Sequence, residues 1–148
     1  MILDERLEFA DATALSTAAT GRALVGDVID STVSRDLGNG DGSLYLVIRV
    51  DTAVTSADAA TVSFELASDA QAAIAVDGSA TVHFATAAIA KATLVAGYRV
   101  CAVALPRGTY ERYIGIIQNV GVAALTAGKI DAFLTHDPAK WTAYADAI

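Results

Sequence analysis

Short runs of alternating apolar residues, each closed off by turn-forming residues, constrain this chain more than any other feature. TVSFELAS (61–68) is the cleanest: Val62, Phe64 and Leu66 fall on one face of an extended chain, Thr61, Ser63 and Glu65 on the other. That period of two predicts a strand in a sheet with one wet face. LYLVIRVDT (44–52) sorts the same way, with Leu44, Leu46, Ile48 and Val50 opposite Tyr45, Val47, Arg49 and Asp51. Further strands are predicted over ALVGDVID (23–30), SATVHFAT (79–86), YRVCAVALP (98–106), YERYIGIIQNVG (110–121) and KIDAFLTH (129–136). Val82 and Phe84 are placed on opposite faces, Tyr110, Ile114 and Ile116 on one face, and 98–106 reads as a buried strand stopped by Pro106.

Weaker signals fill the gaps. AAIAV (72–76) reads as a short strand or edge piece, followed by an Asp77-Gly78 hairpin turn. Gly115 inside its run suggests a bulge or a close backbone contact. AAIAKATLVAG (87–97) stays open between helix and loop, and ALTAG (124–128) reads as a turn. Asp137-Pro138 looks like an N-cap and a helix-opening proline, predicting a short C-terminal helix through Trp141 and Tyr144. The sum is about eight strands, with no amphipathic helix following them in turn. The expected fold is all-β, an antiparallel sandwich or jelly roll.

The opening residues follow another grammar. MILDERLEF sets Leu3, Leu7 and Phe9 among charges, and a small, polar stretch follows to Gly21. Residues 1–22 read as an extended N-terminal arm with one helical turn, leaving 23–148 as a single domain. The opening has acids and no apolar signal core, and no window approaches the ~18 apolar residues of a membrane span. The expectation is a chain that is soluble and cytoplasmic when made.

Composition narrows the partners. At 148 residues the chain has one domain's worth of core. Charged residues are 18%, below the usual ~25%, so the surface is rich in Ala, Thr, Ser and Gly and suits a life against neighbours. The net charge of −7 and scattered bases disfavour nucleic acid and anionic membranes, and favour a basic protein surface.

No motif brings catalytic chemistry together. His83 and His136 lie in different predicted strands, with no His-x-His, His-Glu-x-x-His or Cys pair to hold a metal. In DLGNGDGS, Asp36, Asn39 and Asp41 do not follow the calcium-loop order, and a sharply turning or mobile loop is the simpler reading. No serine sits in Gly-x-Ser-x-Gly. Cys101, within an apolar run, reads as a buried inert thiol. Asp4, Glu5, Glu8 and Asp11 read as a docking or solvating charge run. Tyr98, Tyr110 and Tyr113 read as core or interface residues before a sugar platform. No cofactor is expected, and the chain is not read as an enzyme.

As an ordered set, several blocks resemble a known family. They are MILDERLEFADATAL, VIDSTVSRDLGNGDGSLYLVIRV, TVSFELASDAQ and LVAGYRVCAVALPRGTYERYIGIIQNVGVAALTAGKIDAFLTHDP. Their order is an acidic opening, Asp30 before a polar run, an Asp-Leu-Gly loop, Leu-Pro before an aromatic-rich strand, and a Gly-x-x-x-Leu-x-x-Gly turn. This resembles the jelly-roll capsid cement, or decoration, proteins of tailed phages, of the Bordetella podophage type. The likeness covers nearly the whole chain, apart from the Ala-rich stretch 85–96.

The resemblance implies a non-catalytic virion protein on the capsid surface, made in the host cytoplasm. It would bridge major capsid protein subunits and self-associate as a small homo-oligomer, a dimer before a trimer. The expected capsid contacts are Asp4, Glu5, Arg6, Leu7 and Phe9 of the arm, and Arg35, Asp36, Asn39 and Asp41 of the Gly-rich loop. The alternatives are a carbohydrate-binding or tail-fibre-type jelly-roll module, which would show exposed aromatics or calcium, and an enzyme, which would show a polar pocket of titratable groups.

Overall fold

Period-two patterning becomes strand at nearly every predicted position. The computed structural model describes residues 4–38 and 44–138. Its strands are β1 (Glu8–Ala14), β2 (Gly21–Asp30), β3 (Arg35–Asp36), β4 (Tyr45–Ser56), β5 (Thr61–Asp69), β6 (Thr81–Ala85), β7 (Ile89–Ala90), β8 (Arg99–Ala104), β9 (Thr109–Tyr110), β10 (Tyr113–Gly121) and β11 (Leu125–Thr135). All strand pairs are antiparallel. One sheet has the order β1-β11-β4-β8; the other has β2-β10-β5-β6, with β7 also on β5. A third ladder joins only β3 and β9. Among the described residues the one helical element is a 3-10 turn, Glu5–Leu7.

The two large sheets face each other. Ile48, Val50, Ile130 and Leu134 of one share a core with Val62, Phe64, Ile114 and Ile116 of the other. Gln118 also points inward and is buried, but it is satisfied: its Oε1 accepts from Ser16 N at 2.8 Å and its Nε2 donates to Ser16 O at 3.0 Å. It thereby fixes the connection from β1 to β2.

The 1–22 arm is corrected by the sheet. Glu8–Ala14 is an edge strand on β11, with Glu8 opposite Phe133 and Ala14 opposite Lys129. Phe9 is 1% exposed, because it is one of the few large apolar groups that can fill this margin of the core. Only the helical turn of the arm prediction is found, at 5–7.

Gly26 seals the junction of β1 and β2. Its φ is +68°, and a Cβ there would lie 2.0 Å from the Phe9 carbonyl oxygen. It sits in a bulge, since Ile29 opposes Ile114 and Val25 opposes Ile116, leaving 26–28 opposite Gly115. Gly115 meets neither expectation as stated: the bulge is across from it in β2 and its own strand is regular against β5, while a Cβ would stand 2.8 Å from a side-chain atom, Ile74 Cδ1.

Other boundaries shift for tertiary reasons. Residues 72–76 form no strand; Ile74 instead covers Ala67 and Ile117 on the outer face of the β2-β10-β5-β6 sheet. Segment 87–97 is neither helix nor plain loop. It contains β7 and turns bonded to β4, with Leu94 O accepting from Val54 N at 2.9 Å. The strand in 98–106 is an edge, so its residues are half-buried or exposed rather than buried. Residues 125–128, read as turn, begin β11, while the reversal falls at 121–124. The C-terminal helix through Trp141 and Tyr144 lies outside the described residues.

Candidate functional site

The sheet order gathers one set of connections at a single end. The starts of β1, β4, β6 and β10 and the ends of β2, β5, β8 and β11 meet there. This end carries the 3-10 turn, the described residues 31–38 and 44 of the β2–β4 connection, and the connections 70–80 and 105–112.

The Gly-rich loop is anchored along its described part. Asp30 leaves β2 and is held by Arg112, whose Nε and Nη2 donate to its two carboxylate oxygens at 2.8 Å each. Those bonds, with Thr32 N, hold the Asp30 carboxyl down at about 2. Arg112 also lies 4.8 Å over the Tyr113 ring. Further on, Arg35 pairs with Tyr110 and Asp36 with Thr109. Asp36 Oδ1 accepts from Gly38 N at 2.9 Å and Gly108 N at 3.3 Å. Gly38 is obligatory there, because a Cβ would meet the Pro106 carbonyl oxygen at 2.1 Å. The carboxylate considered for calcium thus ties two loops together. Asn39 and Asp41 lie outside the described residues.

A second lock sits behind β9. Leu66 opposes Phe84 and Ala67 opposes Val82, so His83 is an extra residue in β6. That bulge is why Val82 and Phe84, two apart, do face opposite ways. It also aims the His83 ring onto Tyr110, stacked at 3.8 Å, with Nε2 2.7 Å from Ser68 Oγ. Ser68 Oγ also accepts from Glu111 N at 3.0 Å, so one hydroxyl joins β5, β6 and the residue after β9. Burial pushes the His83 pKa down, against the opposing charge of Glu111. Burial, with Asp36 nearby, raises the Tyr110 hydroxyl to about 12, and that hydroxyl donates to Pro106 O at 2.8 Å.

The N-terminal turn flanks this end. Asp4 Oδ1 accepts from Arg6 N at 3.0 Å and caps the turn. Asp4, Glu5 and Arg6 are exposed, whereas Leu7 is half-buried against the core. Phe9, expected as a contact, is core and cannot reach a partner surface. Glu5, Arg6 and Glu8 line an open depression of ≈450 Å³ with Asp27 and Asp30. Burial, then Asp11, Asp131 and Glu5, raise the Glu8 pKa.

The fold therefore brings Asp4, Glu5 and Arg6 to the same end as Arg35 and Asp36. It adds Glu8, Asp27 and Asp30, which the reading of contacts left out. Asp27 carried no sequence signal, because only the β2 bulge turns it into this depression. Carboxylates outnumber cations at this end.

A family model described as Bbp16 matches residues 9–134. The chain belongs to the Bbp16 family, a Bordetella phage protein family. No curated protein matches it. The Bbp16 match runs from Phe9 in β1 to Leu134 in β11, so it covers both sheets and leaves out the 3-10 turn.

The remaining sequence candidates fall inside the Bbp16 body as packing groups. Burial raises the Cys101 thiol to about 11. Tyr110 is fully buried, Tyr98 and Tyr113 half-buried, so the three tyrosines form no exposed row. Among the described residues no cluster of three or more His, Cys, Asp or Glu is arranged to hold a metal ion. No described helix is long and apolar enough to cross a membrane.

Proposed function

We propose that this Bbp16-family chain is a structural cement protein of a phage head. It binds the outside of the shell, bridges major capsid protein subunits and carries no catalytic step. The family match across the whole two-sheet body is the observation that supports this most, together with the block order described above. The reading treats the body as a jelly roll. Two four-stranded paths, β1-β11-β4-β8 and β2-β10-β5-β6, support it, since the main strands pass from one sheet to the other at each step except the β5–β6 hairpin, the order two Greek keys give.

In this reading the acidic end meets the shell through Glu5, Arg6, Arg35 and Asp36. Cross-bracing by Asp36 and Arg112 presents those groups with little ordering left for binding. The partner surface is basic, made in the host cytoplasm with this protein and ending on the virion. The chain acts there as a small homo-oligomer, without nucleic acid or lipid.

The test is co-sedimentation of the purified chain with heads lacking it. Wild type binds and is weakened by salt. Glu5→Lys with Asp36→Asn weakens binding roughly tenfold or more while the body still melts cooperatively. Heads that take up no protein in moderate salt overturn the cement reading; unchanged uptake by the folded variant overturns the acidic contact.

A further inference from the structure

The two ends of the sandwich differ in charge. Opposite the acidic end lie the connections 15–20, 57–60, 86–98 and 122–124, whose only charged residues are Asp58 and Lys91. Most of their exposed residues are Ala or Thr, and two valines stand out, Val95 at 53% and Val122 at 75% exposure. These are large apolar groups in water on a molecule of net charge −7.

The loops are tied into one surface. Lys91 turns its ammonium inward, donating through Nζ to Ser56 O at 2.6 Å. Ser56 Oγ donates to Ala124 O at 2.7 Å, and Lys91 N donates to Ala60 O at 2.9 Å. Three connections are thereby fixed to each other. A depression of ≈280 Å³ lies between the end of β4 and the 86–98 connection, lined by Val54, Lys91, Leu94 and Val95. Internal bonds already occupy the one cation, so the face offers apolar contact and almost no charge.

We propose that this neutral end is the face through which two copies of the chain associate. The inference rests on the self-association included in the proposed function and gives it a location. Charge selects the occupant. Two molecules of like charge repel, and the repulsion is smallest when their acidic ends point apart. End-to-end contact through the neutral face achieves that separation. A charged partner would find only Asp58 free at the surface here to pair with. A two-fold axis through this end makes the interface isologous, so both depressions are covered at once. Screening removes the remaining long-range repulsion, so added salt tightens this contact, the opposite of what it does at the acidic end.

Sedimentation equilibrium of the full chain, in low and in moderate salt, tests this. Wild type is expected to form a concentration-dependent dimer that tightens with salt. Val122→Lys and, separately, Val95→Glu are expected to weaken it roughly tenfold or more. Both side chains are exposed, and a melting curve establishes that each variant is folded. A monomer at every concentration overturns the proposal. So does a dimer that weakens with salt, or folded variants that both dimerise as wild type does. Head binding is read separately: a monomer that still sediments with heads defeats this inference alone, and a salt-tightened dimer that ignores heads defeats the cement reading alone.

Discussion

Val122 shows how a single backbone angle carries a physical claim. Its φ is +71°, a left-handed conformation in which a β-branched side chain crowds its own backbone. It packs against little, being largely exposed. Val122→Gly is expected to stabilise the fold by about 1 kcal/mol in chemical denaturation, the relieved strain exceeding the added freedom of the unfolded glycine. Gly26 is the reverse case. Its left-handed φ and the Phe9 carbonyl leave no room for a Cβ. Gly26→Ala is expected to cost about 3 kcal/mol, read as a lower denaturant midpoint at unchanged slope. Neither effect is visible from residue type, because Val122 reads as an ordinary strand end and Gly26 as an interior residue of the strand predicted over 23–30.

At the scale of elements, β6 and β9 depend on each other through His83. The ring is stacked on Tyr110 and bonded to Ser68, and burial lowers its pKa relative to the unfolded chain. The unfolded state therefore binds the proton more readily. Stability is fully present above about pH 6.5 and is lost as pH falls from there through the folded pKa. Stability measured against pH should show that decline, and His83→Gln should flatten it. A flat wild-type profile across that window would dismiss the coupling. The bulge that creates this contact was not legible: the sequence reading sets Val82 and Phe84 on opposite faces of a plain strand, and only the pairing with β5 supplies the inserted residue this requires. The ring partner was not legible, since Tyr110 lies far along the chain, in β9.

The whole molecule turns on β1. Its partner β11 is near the other end of the chain, so the sheet closes only when most of the sequence is in place. An arm could be removed without consequence; an edge strand cannot. Deleting residues 1–14 is expected to abolish cooperative unfolding, and Phe9→Ala in the full chain to cost about 3–5 kcal/mol. A truncated chain with a sharp thermal transition and native near-ultraviolet dichroism would restore the arm reading. Closure over such separations also predicts refolding in milliseconds to seconds, as for other all-β bodies of non-local pairing.

By itself the sequence determined the β class, most strand positions and the faces of β4, β5 and β10. Those follow from a local rule: alternate side chains on an extended backbone point opposite ways, so period two is written in adjacent residues. It also held the family likeness, since block order is a property of the chain. Tertiary structure decided what depends on distant neighbours. EFADATA is too short of apolar residues to look like a strand and becomes one because β11 offers a free edge and the core a place for Phe9. YRVCAVA looks central and lies at an edge because among the described residues no strand pairs with its outer side. Asp27 and Asp30 join Glu5 only because β2 bulges at Gly26, and the acidic and neutral ends separate only because the strand order sends alternate connections to opposite ends.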